Sequence, residues 1–181
     1  MSGTPHFVGI DLDDESRHRL AAGLTAAFED HPVPGLRVPA ANWHLTLRYL
    51  GPVPPPRLDA IIHGLASAPL GEGFRLRLDG LGAFPRPEQA SVLWVGTAEG
   101  TEELHLLRDR VEEALEATGM PREDRPFEPH LTLSRIRPPV DVWTWLEADP
   151  LLDVRVDVDA VTLFRSERRP TAYPVVGRFP L

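Results

Sequence analysis

The tetrapeptide His-Leu-Thr-Leu occurs twice in this chain, at His44–Leu47 and His130–Leu133, 86 positions apart. Roughly 0.007 copies would be expected by chance from the chain's content of His, Leu and Thr, so two copies demand a common cause. The surrounding pattern repeats as well. Phe7–Asp11 alternates as a strand, and Asp13 or Asp14 can cap a helix whose apolar positions Leu20, Leu24, Ala27 and Phe28 follow helical spacing. A strand over Trp43–Leu50, a helix near Arg57–Ala66 and a strand over Phe74–Leu81 complete a β-α-β-α-β unit.

The same order returns after Pro87. It gives a strand at Ser91–Gly96, a helix at Glu102–Thr118, a strand at His130–Ile136, a short helix near Val142–Leu146 and a strand at Val154–Phe164. Leu78-Asp79-Gly80-Leu81-Gly82-Ala83-Phe84 parallels Val158-Asp159-Ala160-Val161-Thr162-Leu163-Phe164 at an offset of 80. A last strand at Tyr173–Phe179 has no counterpart in the repeat. The expectation is an α+β fold: bilobal, duplicated β-α-β-α-β units with antiparallel sheets flanking a central cleft about a pseudo-twofold axis. The organisation expected is one domain over residues 1–181, with lobe-forming repeats near 6–84 and 90–165 and a C-terminal strand at 172–180.

In a strand, alternate side chains share a face, so His44 and Thr46 point one way while Leu45 and Leu47 point to the core. His130 and Thr132 repeat this. Two imidazoles and two hydroxyls in one cleft supply what phosphate-ester hydrolysis needs, namely a base, an acid and donors to nonbridging oxygens. Such a pair of imidazoles works with one neutral and the other protonated, each titrating near the ordinary value of about 6.5 unless its surroundings intervene. The histidines at positions 6, 18, 31, 63 and 105 lack a Thr two positions on and read as surface. Asp79 and Asp159 read as structural; Trp94 and Phe84 could stack on a base at a strand end, but large aromatics in strands are more often core, and they are read so.

Composition narrows the field further. A net charge of -8 argues against extended, sequence-independent nucleic-acid binding, which relies on many cationic contacts, yet permits recognition of one phosphate at a strand end. There is no Cys, no His-Glu-x-x-His pattern, and each motif offers one imidazole beside a hydroxyl, a poor ligand set for zinc. No metal or cofactor is expected. No apolar run approaches the roughly 18 residues of a membrane span and the N-terminus lacks a secretory pattern, so a cytoplasmic protein without a membrane partner is expected.

The chain resembles the 2H phosphoesterase superfamily, in particular its RNA 2′,3′-cyclic phosphodiesterases, also called 2′-5′ RNA ligases. The resemblance is carried by Asn42-Trp43-His44-Leu45-Thr46-Leu47-Arg48-Tyr49-Leu50-Gly51, by Gly82-Ala83-Phe84-Pro85 with Val92–Gly96, by Pro129–Arg135, and by Leu163-Phe164-Arg165-Ser166. It implies a monomer that hydrolyses the terminal 2′,3′-cyclic phosphate at the 3′ end of RNA or an oligonucleotide to a 2′-phosphomonoester, with reversible 2′-5′ ligation as the second name suggests. It implies His44 as general acid, His130 as general base, and Thr46 and Thr132 on the nonbridging oxygens. Arg135, or Arg48 on the face expected for His44, would add positive charge. Hydrolysis of a small cyclic nucleotide and non-catalytic binding of RNA ends are the alternatives. If proton transfer by side chains is the whole chemistry, hydrolytic activity should survive exhaustive chelation. An apoprotein restored only by added divalent metal would contradict that expectation.

Overall fold

The computed structural model describes residues 3–167 and 172–181. The first repeat forms β1 (Thr4–Asp11), α1 (Asp14–Ala27), a two-residue strand β2 (Leu36–Arg37), β3 (His44–Val53), α2 (Pro55–Ser67) and β4 (Phe74–Phe84). Of the two candidate caps for α1, Asp13 serves: its carboxylate accepts the Ser16 N–H at 2.7 Å. Pro55 opens α2, where its missing N–H costs nothing. The second repeat forms β5 (Ala90–Glu99), α3 (Thr101–Glu116), β6 (Leu131–Val140), α4 (Trp143–Glu147), β7 (Val154–Val158) and β8 (Ala160–Arg165), and β9 (Val175–Pro180) ends the chain. Among the described residues no helix is long and apolar enough to cross a membrane.

The strands form one sheet in the order β7-β4-β5-β6-β3-β1-β8-β9, with β2 beside β6, and every pairing is antiparallel. The last strand of each repeat pairs with the first strand of the other: β4 lies on β5, and β8 lies on β1. The two repeats are therefore interlocked. They meet on the pseudo-twofold axis at two ladders. At one, Leu45 pairs with its own equivalent Leu131, and at the other Leu76 pairs with its equivalent Val156. All four residues are fully buried at 0% exposure, so the axis runs through the core.

The expected strand at Val154–Phe164 is divided at Asp159. β7 alternates buried and exposed residues, whereas β8 is buried over five successive positions. The sequence shows this change of period, from Val-Arg-Val-Asp-Val to Ala-Val-Thr-Leu-Phe. Its counterpart β4 has a register shift between Leu78 and Leu81, with Gly80 at φ +72°. Asp79 fastens this bend by accepting the Gly80 N–H at 3.0 Å and the Leu152 N–H at 3.2 Å. Asp159 accepts from Arg178 and gives its carbonyl to Leu181 N–H. Both aspartates are structural. Since only Asp159 separates β7 from β8, which lie far apart in strand order, the sheet must curl until those regions meet.

Two equivalent β-bulges alter the faces that simple alternation assigns. Val8 and Gly9 are adjacent on β1, but their partners Arg48 and Thr46 are two apart on β3, so one extra residue is inserted at Leu47–Arg48. Leu93 and Trp94 face Ser134 and Thr132 in the same way, placing a bulge at Leu133–Ser134. Arg48 is consequently turned off the face of His44 and Thr46 and buried at 8% exposure, which corrects the expectation that it shares that face. Its Nη1 lies 3.3 Å from the carboxylate of Glu112, and its Nη2 donates to the Pro121 carbonyl at 2.7 Å.

Glu112, on α3 and fully buried, also accepts the Glu123 N–H at 3.2 Å and lies 3.6 Å from Arg108. This ion cluster fastens the irregular segment that leads from α3 into the second motif. Removing one member strands a buried charge, so Glu112→Ala should lower unfolding free energy by about 3–5 kcal/mol in chemical denaturation. Replacing Arg48 and Glu112 together by apolar residues should recover much of that loss. A Glu112→Ala protein as stable as the parent would show that the cluster is not what holds the segment.

Candidate active site

The site forms because the Leu45–Leu131 pair is antiparallel. That register sets His44 opposite Thr132 and Thr46 opposite His130, all four on the face away from the buried leucines. The two histidines are then diagonal neighbours, with Cα atoms on the order of 7–8 Å apart, a spacing that lets two imidazoles flank one phosphate. All four residues are half-buried.

Each imidazole is oriented in the same manner. His44 Nδ1 lies 2.7 Å from the carbonyl oxygen of Asn42, and His130 Nδ1 lies 2.7 Å from that of Glu128. A carbonyl can only accept, so both Nδ1 atoms carry a proton and donate, and both Nε2 atoms are left for chemistry. His44 Nε2 lies 3.0 Å from Thr46 Oγ1. With a neutral imidazole, the Thr46 hydroxyl is the donor.

Aromatic rings hold the imidazoles from behind. Phe7 packs on His44 with ring centroids 4.6 Å apart, Phe164 stacks on Phe7 at 4.9 Å, and Tyr173 meets His44 edge-on at 5.6 Å. Phe84 meets His130 edge-on at 5.0 Å, and Trp94 lies 6.0 Å from it. Phe84 and Trp94 thus buttress a site histidine and are only half-buried, which corrects the core position read for them from sequence. Asn42 does double duty, since its side-chain oxygen accepts the Tyr173 N–H at 2.8 Å. Sequence reasoning gave no role to Asn42, Glu128, Phe7 or Tyr173. Two of these, Asn42 and Glu128, act through backbone carbonyls that leave no side-chain signature, though each lies two residues before a motif histidine.

The surroundings of His44 set its proton affinity. Burial, the largest influence, pushes His44 down from 6.5 to about 4; its hydrogen bond to Asn42 opposes this, while the charges of Arg135, His130 and Arg17 add to it. His44 is therefore neutral at rest at neutral pH, away from the value near 6.5 expected of an unperturbed imidazole. Arg135 is exposed on the site face, opposite Val92 and Leu36, and among the described residues it has no carboxylate partner. Its charge is available to an anion. Arg17, the other arginine felt by His44, is already paired with Asp11 and Asp14. The structure thus brings His44, Thr46, His130, Thr132 and Arg135 to one face, whereas Arg48, on the wall of the cleft beside Thr46 and His130, has its guanidinium engaged with Glu112 and Pro121.

Among known proteins, residues 12–170 match the model of the 2′-5′ RNA ligase superfamily. An RNA 2′,3′-cyclic phosphodiesterase of Aeropyrum pernix is 46% identical over 105 residues, an alignment covering 58% of this chain and 59% of that protein. One from Thermus thermophilus is 36% identical over 97% of this chain and 89% of its own length. The crystal structure of Escherichia coli LigT complexed with 3′-AMP superposes with a TM-score of 0.75 at 28% identity, covering 98% of each chain.

The low affinity of His44 for protons has a thermodynamic consequence. Unfolded, it takes up a proton near 6.5, but folded it does so only near 4, so between those values the unfolded state binds more protons and acidification destabilises the fold. Folding stability should fall as pH is lowered from about 6.5 toward 4, with a shallower fall in His44→Gln. NMR titration of the His44 ring should show a midpoint near 4, and a midpoint at or above 6.5 would refute the assignment.

Proposed function

The chain belongs to the 2′-5′ RNA ligase superfamily, and from that premise we propose that it opens the 2′,3′-cyclic phosphate at the 3′ end of RNA or an oligonucleotide, leaving a 2′-phosphomonoester. The observation that carries this reading is the Leu45–Leu131 register, which faces one His-Thr pair against the other on the same side of the sheet. In this reading the protein acts as a cytoplasmic monomer and uses no metal.

Water attacks phosphorus on the side of His130, whose Nε2 takes the proton. The bond from phosphorus to the ribose 3′ oxygen breaks on the opposite side, and His44 Nε2 protonates the departing oxygen. Thr46, Thr132 and Arg135 hold the nonbridging oxygens, where neutral donors and one fixed cation stabilise the redistributed charge. His44 must carry a proton for this step although burial keeps it neutral at rest. The incoming phosphate supplies the remedy, because a negative charge beside the imidazole favours its protonated form. The acid is then charged as substrate binds. The Thr46 hydroxyl, released from His44 Nε2, becomes free to donate to phosphate. With a 5′ hydroxyl in place of water as the nucleophile, the same forward step would break the bond to the 3′ oxygen and join ends through a 2′-5′ linkage, His130 taking the hydroxyl proton and His44 protonating the 3′ oxygen.

The test is hydrolysis of an oligonucleotide ending in a 2′,3′-cyclic phosphate with the product mapped by phosphorus NMR. A 2′-monoester resistant to a 3′-specific phosphatase is expected, and a 3′-monoester as main product would reverse the roles of the two histidines. His44→Ala and His130→Ala should each lower kcat by about 10² or more with a folded protein and modest change in KM, whereas Thr46→Ala and Thr132→Ala should each cost about tenfold. Inorganic phosphate should raise the His44 midpoint measured by NMR. Near-wild-type kcat/KM in either histidine variant would disprove the two-histidine mechanism.

A further inference from the structure

The reaction needs one phosphate at its centre, but an RNA end brings the rest of its chain with it, and that chain carries a negative charge at every link. Its path should be marked by arginines that the protein leaves without an acidic partner. Most arginines around the centre are not of this kind. Arg17 is paired with Asp11 and Asp14, Arg48 and Arg108 with Glu112, Arg125 with Glu123, and Arg165 with Glu167.

Two on a single strand are different. Past the second motif β6 reads Arg135-Ile136-Arg137, with Ile136 buried against Ala90, Leu93 and Val142 and both arginines exposed. Burial of the residue between them turns both arginines away from the core, which for Arg135 is the site face, and sets their Cα atoms roughly 6–7 Å apart. Val92 lies opposite Arg135 whereas Ala90 lies opposite Val140, so Arg137 stands on an arch that has no partner on β5. Among the described residues neither guanidinium has a carboxylate or hydrogen-bond partner. In a chain of net charge -8 they form an uncompensated basic track that begins at the reacting groups and leads outward.

We propose that Arg137 holds the phosphodiester joining the terminal nucleoside to its 5′ neighbour, so that RNA leaves the site along the outer end of β6 and a chain is preferred to a cyclic mononucleotide. This rests on the hydrolase reading above and extends it from the reacting phosphate to the next link. A phosphate contact carries no base information, so the preference is for length and not for sequence.

Arg37 supplies a control of equal charge. It too is exposed and without a partner among the described residues, but its neighbour Leu36 pairs with Arg135, so Arg37 points to the opposite face, where it lines a cavity with Phe28, Trp43 and Leu133. Kinetics are measured on a nucleoside 2′,3′-cyclic phosphate, with one phosphate, and on a dinucleotide ending in the same group, with two. Wild-type protein should have the lower KM for the dinucleotide. Arg137→Gln should raise that KM about fivefold with kcat nearly unchanged, lower the slope of log KM against log salt by about 0.7, and leave the mononucleotide unaffected. Arg37→Gln should match wild type on both. Equal wild-type KM for the two substrates, an Arg137→Gln variant impaired on both or on neither, or an Arg37→Gln variant as poor as Arg137→Gln would each overturn the track. Wild-type protein that opened neither ester would sink the hydrolase reading and this inference with it.

Discussion

The pairing of Leu45 with Leu131 is the contact on which the site depends. It joins equivalent residues of two repeats, so it lies on the pseudo-twofold axis, and both side chains are fully buried. Burying the leucines turns the flanking His and Thr outward, and the antiparallel sense sets each His against the other half's Thr. Hydrophobic burial on one face of the sheet and chemistry on the other are thus two results of a single register. A slip by one residue would send the histidines into the core and the leucines into the cleft.

The second seam, at Leu76 and Val156, keeps the first in place. Because β4 and β8 each leave that seam to flank the first strand of the other repeat, neither half is completed by its own residues. The bends that make this possible fall at Asp79 and Asp159, whose carboxylates and carbonyls are occupied with neighbouring backbone and arginines. The buried Arg48–Glu112 pair has a comparable supporting position. It fastens the segment running through Pro121 and Glu123 toward Glu128, whose carbonyl orients His130.

Near symmetry of sequence coexists with asymmetry of environment. Both imidazoles donate Nδ1–H to a carbonyl two residues earlier, but His44 is enclosed by Phe7, Phe164 and Tyr173 while His130 stands beside an open cleft. Desolvation acts on the first and lowers its proton affinity. In the mechanism proposed for His44 as acid, an imidazole kept neutral by burial and by the charge of Arg135 would take up its proton only when an anion arrives.

The sequence by itself determined the duplication, the β-α-β-α-β order, the burial of the motif leucines and the identity of the four paired His and Thr residues, because each follows from local periodicity or direct repetition. It also contained, unread, the change of period that divides Val154–Arg165 into two strands. Only the tertiary structure decided the rest. The exchange of β4 and β8 between repeats depends on long-range pairing that no local pattern encodes. The fate of Arg48 and the placement of Arg135 depend on bulges, each a one-residue insertion visible only when two strands are laid side by side. The proton affinity of His44 depends on burial among rings from β1, from β8 and from Tyr173, two residues before β9, parts of the chain gathered only by folding.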